Sequence, residues 1–239
     1  MENSFWDAFV EALRLIRSFD SEVMEITWRS LRIAATSSAI SFLLLALPFG
    51  TLIHFNNFPG KRLVISTIQT LFAMPAVAVG LITYILLSSK GTFGDLGWYL
   101  TPSAIIFGQT LLITPVMLGL VISALNAVDK SIPETATTLG ASRLQTYTIS
   151  IREARFGILT ALVMGFGRAI SEVGVSIMVG GNIRGFTRTL TTTISLETQM
   201  GETELALALG IILILLAFVI NLSLLSLQYG KLPRVPWRP

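Results

Sequence analysis

Residues 96–128 read LGWYLTPSAIIFGQTLLITPVMLGLVISALNAV, a run without a single Asp, Glu, Lys or Arg. About 20 predominantly apolar residues carry a helix across the hydrocarbon of a bilayer, so this run can cross with residues left over for its ends. Working outward, the stretches 33–60, 63–89 and 205–230 are equally free of those four residue types and long enough. A fifth, 156–180, is apolar apart from Arg168 and Glu172. Spans are expected near 31–54, 64–88, 102–124, 157–180 and 205–228, which makes the fold an all-α integral membrane protein with five transmembrane helices.

The whole chain agrees with that reading. Of its 239 residues 52% are hydrophobic and only 13% charged, against roughly 25% charged in soluble domains; the mean hydropathy is +0.72. Cysteine is absent, which removes a disulfide framework, a thiol nucleophile and Cys-ligated zinc. The single histidine, His54, cannot build a multi-His metal site and reads as an interfacial polar residue. The net charge of +3 does not point to nucleic acid, because the basic residues are scattered over loops between apolar runs. Glu2 and Asp7 stand where a secretory signal would be basic, so the first apolar run is expected to stay as a span.

Five spans put the termini on opposite sides, and the positive-inside rule chooses the orientation. With the N-terminus outside, the inner segments hold Lys61, Arg62, Lys130, Arg143, Arg152, Arg155, Lys231, Arg234 and Arg238 against Asp129, Glu134 and Glu153, while the outer segments are net negative. An N-out, C-in protein of a prokaryotic inner membrane is expected. Its parts are an interfacial segment 1–28, a membrane domain 29–230 with an inner loop 126–156, and a cytoplasmic tail 231–239. Within the first part, Phe5, Phe9, Leu13 and Ile16 fall at helical spacing, so residues 4–19 form an amphipathic helix, lying in the outer interface or packing on a neighbouring subunit. The spans also hold Pro48, Gly50, Pro75, Gly80, Gly108, Pro115, Gly119, Gly165, Gly167 and Gly174. Such residues allow close helix packing or bends around a pathway.

The inner loop is the segment with the most local information. Ser131 and Glu134 have the spacing of a capping box, with Pro133 in the first turn. Gly140 supplies a left-handed stop, and Ser142 with Gln145 makes a second box. Helix, turn and helix are therefore expected over 129–156. The run ETATTLGAS, 134–142, resembles the EAA loop of ABC importer permeases. Glu134, Ala136 and Gly140 match that pattern, Thr135 departs from its alanine, and Arg152-Glu153 stands where Leu-Pro is usual. The resemblance implies the fold of a type I importer permease. It also implies a role for Ser131, Glu134, Ala136, Gly140, Ser142 and Arg143 in docking this loop into a separate cytoplasmic ATPase.

The segment 165–190, GFGRAISEVGVSIMVGGNIRGFTRTL, resembles the branch of that family that imports molybdate, tungstate and sulfate, and GGNIRGFTRTLTTTI, 180–194, resembles its tungstate-specific members. The implied partners are a second copy of the chain, an ABC ATPase dimer, an extracytoplasmic oxyanion-binding protein and membrane lipid. No cofactor is expected on this chain: nothing matches the nucleotide-binding pattern G-x-x-x-x-G-K-[ST], so ATP would be used by the ATPase partner.

Two sets of polar residues remain. Arg168 and Glu172, four apart, share a helix face, and each alone in mid-membrane costs about 2.5–3.5 kcal/mol; they are expected to pair, leaving Arg168 little charge for an anion. Beyond them Gly180, Gly181, Asn182, Arg184, Gly185, Arg188 and Thr189, followed by Thr191–Thr193, offer amides, guanidinium forks and hydroxyls suited to a tetrahedral oxyanion. Docking of the binding protein is the alternative use of that outer loop. Two other classes compete with the importer. A secondary transporter would show repeats and midplane ion sites, and five unequal spans show no obvious repeat. A membrane enzyme would need convergent nucleophiles or ligands, and the spans hold no clustered carboxylates.

Overall fold

A computed structural model describes residues 5–229; the expected tail, 231–239, lies outside the described residues. The chain is all-helical, with no strand among the described residues. It begins with α1 (Phe5–Arg17) and turns at Phe19, whose φ is +51°. The Asp20 carboxylate then accepts hydrogen bonds from the Glu22 and Val23 amides at 3.0 and 3.1 Å, capping α2 (Ser21–Ile40). This cap starts the first span ten residues earlier than hydropathy suggests, so nearly three turns carrying Glu22, Glu25 and Arg29 precede the apolar part.

α2 runs through a π-helical segment (Ser41–Ala46) into α3 (Leu47–Phe55), giving one continuous helix from Ser21 to Phe55. The π turns have a local cause: the Pro48 ring would press on the carbonyl one turn back, and a wider turn relieves it. The second span differs from the single helix expected over 64–88. α4 (Lys61–Thr70) and α5 (Ala76–Leu87) meet at 101° across a short turn. Pro75 forces Met74 into extended backbone (φ −62°, ψ 125°), which no helix can continue through. α6 (Pro102–Asn126) is a long unbroken span in agreement with 102–124. α7 (Ser131–Thr138) and α8 (Arg143–Glu153) form the helix–turn–helix, and α9 (Arg155–Ile170) follows. The fourth span is also broken: α10 (Gly174–Gly180) departs from α9 by 55°. Between α10 and the last span, α12 (Thr203–Tyr229), lies a further helix, α11 (Leu190–Met200). Among the described residues three helices are long and apolar enough to cross a membrane, and counting each bent pair as one span gives the expected five.

α6 is the axis of the bundle; α2, α3, α4, α5, α9 and α10 all pack on it. Glycines permit the closest approaches. A Cβ on Gly108 would lie 2.5 Å from Val175 Cγ1 of α10, and one on Gly165 of α9 would lie 1.9 Å from Met117 Cε of α6. A second cluster joins Val23 and Ile26 to Leu190, Leu209 and Ile212. Against it α1 lays Leu15 and Ile16, with Ala12 fully buried. α1 thus packs on α12 of its own chain, and the expected stripe is rotated: Leu13 is exposed, while Ala12 takes the inward position.

The bundle has two poles. One carries the α1–α2 corner, residues 88–101, the loop 181–189 and the start of α12; an Arg184–Glu22 ion pair and a Leu100 N–H to Val179 carbonyl bond of 2.9 Å tie it together. At the other pole His54 Nδ1 lies 2.8 Å from Asn126 Oδ1, and Lys61 Nζ donates to the His54 carbonyl at 2.7 Å.

Candidate functional site

At this second pole the α7–α8 hairpin projects from the bundle. Its turn closes by two backbone bonds, from Ala141 N–H to the Ala136 carbonyl and from Gly140 N–H to the Thr137 carbonyl, both 3.0 Å. That pair of bonds is the Schellman stop, with Gly140 in its left-handed position at φ +87°. Ser142 caps α8 reciprocally with Gln145: the Ser142 amide donates to Gln145 Oε1 at 2.7 Å, and the Gln145 amide to Ser142 Oγ at 3.4 Å. The box expected from Ser131 and Glu134 is not formed. Lys130 already has helical dihedrals, so Ser131 lies inside the helix, and Asp129 supplies the cap by accepting from the Ser131 amide at 2.9 Å. That bond, reinforced by the Ser131 hydroxyl, holds the Asp129 carboxyl below its ordinary pKa.

The hairpin presents apolar side chains to its surroundings. Leu139 is 83% and Leu144 75% exposed, flanking the turn, with Ala136, Thr148 and Ile149 lining the same concavity. Glu134 and Arg143 are exposed and make no ion pair among the described residues. On the inner side of α8, Thr146 and Ser150 are buried, and Tyr147 stacks on Phe55 with ring centroids 4.3 Å apart. α8 passes into α9 with Ala154 as their shared boundary residue. The hairpin thus touches the first span through Phe55 and is continuous with the fourth through α9. The Phe55–Tyr147 stack was missed in the sequence, where nothing relates residues so far apart.

Inside the bundle Ser37 Oγ donates to Gln109 Oε1 (2.8 Å), Gln109 Nε2 donates to the Ala169 carbonyl (3.0 Å), and the Ser41 and Thr114 hydroxyls are 2.9 Å apart. This buried seam links α2, α6 and α9 next to the break in the fourth span. Gln109, an amide inside the uncharged run 96–128, was its visible signal.

The expected Arg168–Glu172 pair is not formed. α9 ends at Ile170, so the helical register that would place residues four apart on one face does not extend to Glu172. Glu172 is only 4% exposed; its Oε1 accepts from the Val175 amide at 3.2 Å, and its carbonyl accepts from the Thr191 hydroxyl at 2.7 Å. Arg168 lies on the exposed side of α9 and has no ion pair among the described residues.

At the first pole the outer loop is clamped shut. Arg184 forms a forked ion pair with Glu22, its Nε donating at 2.8 Å, and this carboxylate raises the Arg184 pKa. Arg188 lies 3.5 Å from Glu22 and 3.4 Å from Glu197, which is 7% exposed. Arg29 pairs with Glu25 and donates to the Arg188 carbonyl at 3.1 Å. Three guanidinium groups thus face three carboxylates, while Arg32, one turn on from Arg29, is exposed and has no ion pair among the described residues. The hydroxyls are engaged as well: Thr192 donates to Asn182 Oδ1 at 2.8 Å, Thr189 and Thr192 form the capping box of α11, and Thr187 accepts from the Ile183 amide at 2.9 Å. The Arg188 Nε–H is buried without a hydrogen-bond partner among the described residues.

Residues 24–235 match the family described as "Binding-protein-dependent transport system inner membrane component". The chain is 38% identical over 222 residues to the tungstate uptake system permease protein TupB of Peptoclostridium acidaminophilum, covering 93% of this chain and 97% of that one. It is 31% identical over 209 residues to the molybdenum transport system permease protein ModB of Escherichia coli K12, covering 80% and 89%. Among solved structures, the inward-facing MetNI methionine ABC transporter matches with a TM-score of 0.70 at 17% identity over 90% of this chain and 99% of that one, a likeness of fold alone. With five spans, a projecting hairpin between the third and fourth, and a family match over nearly its whole length, the chain belongs to the inner-membrane permease components of binding-protein-dependent ABC importers.

Proposed function

We propose that this permease imports a tetrahedral oxyanion, tungstate first, molybdate or sulfate as the alternatives, and that it works as a pair of identical copies. The observation that carries the coupled part of this reading is the hairpin: a rigidly capped element with exposed Leu139 and Leu144, joined to two spans through Tyr147–Phe55 and α9. A separate ATPase dimer grips the loop 129–156 at the cytoplasmic pole, with Glu134, Gly140, Ser142 and Arg143 at or beside the contact. ATP-driven closure of that dimer favours one arrangement of the spans over the other, because its affinity for the two differs. A soluble binding protein delivers cargo at the pole that carries α1, where Asn182, Arg184, Arg188 and Thr189 stand; this pole faces outward and the C-terminus inward. The identity of 38% to a tungstate permease against 31% to a molybdenum permease supports the order of cargoes.

The test is uptake into vesicles holding the permease and its ATPase, with the binding protein outside. Tungstate, molybdate and sulfate are compared with and without ATP. ATP-dependent uptake with tungstate preferred is the expected result. Preference for another oxyanion discards the cargo order alone, and uptake indifferent to ATP discards the coupling.

A further inference from the structure

Arg168, deep in the fourth span, has no ion pair among the described residues. Its sequence neighbour in charge, Glu172, has turned into the break after α9 and is buried there on the Val175 amide. Counted from Arg155 at the start of α9, Arg168 stands about 20 Å along the helix axis. The hydrocarbon is roughly 30 Å thick, so the guanidinium lies well within it. Its five N–H donors find nothing to bond in lipid. The face that bears it must therefore meet water or protein. On that face Met164, Arg168 and Ser171 follow one another at helical spacing, all exposed. The other broken span also exposes polar groups within the membrane: Ser66, Thr67, Gln69 and Thr70 of α4.

The arginines at the outer pole are in the opposite condition. Arg184 and Arg188 are matched to Glu22 and Glu197, so these two guanidinium groups have little charge left for an arriving dianion. Arg168 is unmatched among the described residues and deeper, beside the 55° break between α9 and α10.

Building on the oxyanion reading above, we propose that Arg168 lines a water-filled pathway and is the cationic contact that a tetrahedral dianion meets on its way through the membrane. A guanidinium suits that task by presenting a planar fork to two oxygens of the anion. Its position at a break lets the contact be made and released as the spans change arrangement.

The experiment uses the assembled permease–ATPase complex in vesicles, with loaded binding protein supplied. The chain has no cysteine, so Arg168→Cys introduces the one thiol of this chain, read out on the permease band alone. An anionic methanethiosulfonate reagent is expected to modify it at least tenfold faster than the thiol of Ile214→Cys, on an exposed apolar position of α12. Arg168→Gln is expected to lower tungstate uptake at least tenfold while the complex still elutes intact on size exclusion, and Arg168→Lys to retain more uptake than Arg168→Gln. Equal reactivity of the two thiols overturns the pathway assignment. Unchanged uptake by Arg168→Gln overturns the anion contact. Dissociation of the Arg168→Gln complex overturns it too, since the guanidinium would then be matched to a protein carboxylate in the assembly. Wild-type vesicles that take up no oxyanion at all defeat the cargo reading, and the thiol comparison still reports whether Arg168 meets water.

Discussion

Gly140 is the most sharply determined point of the α7–α8 hairpin. It has φ +87°, and a Cβ built on it would meet no atom within 4 Å. A side chain there therefore clashes with no neighbouring element, and the penalty is purely conformational. The left-handed region costs about 1–2 kcal/mol for a residue with a Cβ, and a β-branched residue is worse placed than alanine. No buried contact offsets the strain, because Leu139 and Gly140 are both exposed. A loss of 1–2 kcal/mol lowers the closed-to-open ratio of the turn roughly 5–30-fold. Asparagine tolerates the left-handed conformation, so Gly140→Asn should stay close to wild type, Gly140→Ala should lie between, and Gly140→Val should be worst. Amide hydrogen exchange at Ala141, whose N–H bonds the Ala136 carbonyl across the turn, measures the closed population. Retention of the ATPase on the purified permease measures docking. The expected order is the same in both. Exchange in Gly140→Val no faster than in wild type would refute the backbone argument. Faster exchange with full retention of the ATPase would show that the hairpin is not the docking element.

Other consequences concern particular contacts. Tyr147→Ala removes a stack of the kind worth about 0.5–1.5 kcal/mol between α8 and the first span; the ATPase should remain bound while ATP-driven uptake falls, and unimpaired uptake counts against transmission through Phe55. At the outer pole Glu197→Gln takes away a buried partner of Arg188, whereas Arg184→Gln breaks a pair whose arginine is 73% exposed. A surface pair contributes about 0–1 kcal/mol and a buried one more when one partner is removed, so thermal unfolding should move clearly for Glu197→Gln and little for Arg184→Gln. Because folding lowers the Asp129 pKa, the stabilisation from its cap is present above its unfolded value, roughly 3.9, and is lost as pH falls through the folded value. Hydrogen exchange in the first turn of α7 should accelerate below about pH 4, Asp129→Ala should show that faster exchange already at neutral pH, and an acid-insensitive first turn would remove Asp129 as its cap.

The number and approximate place of the spans could be read in advance because lipid demands long uncharged runs, and residues 102–124 met that demand without complication. The hairpin was legible for a different reason: Gly140, Ser142 and Gln145 act on backbone within a few residues of themselves, so their effect needs no distant neighbour. The same local logic failed at Ser131, where Asp129 two residues earlier was the stronger acceptor for the same amide. It failed again at Arg168 and Glu172, where a helical register was assumed across a break. What only the packed chain decided is the distribution of charge. Glu22 and Glu197 reach Arg184 and Arg188 because α2 and α11 are folded against the outer loop. Arg184 and Arg188 are thereby matched, and Arg168, which spacing seemed to pair with Glu172, has no ion pair among the described residues. Hydropathy and caps act through the chain's own neighbours and solvent; ion pairing acts through space, and is settled by which helices lie side by side.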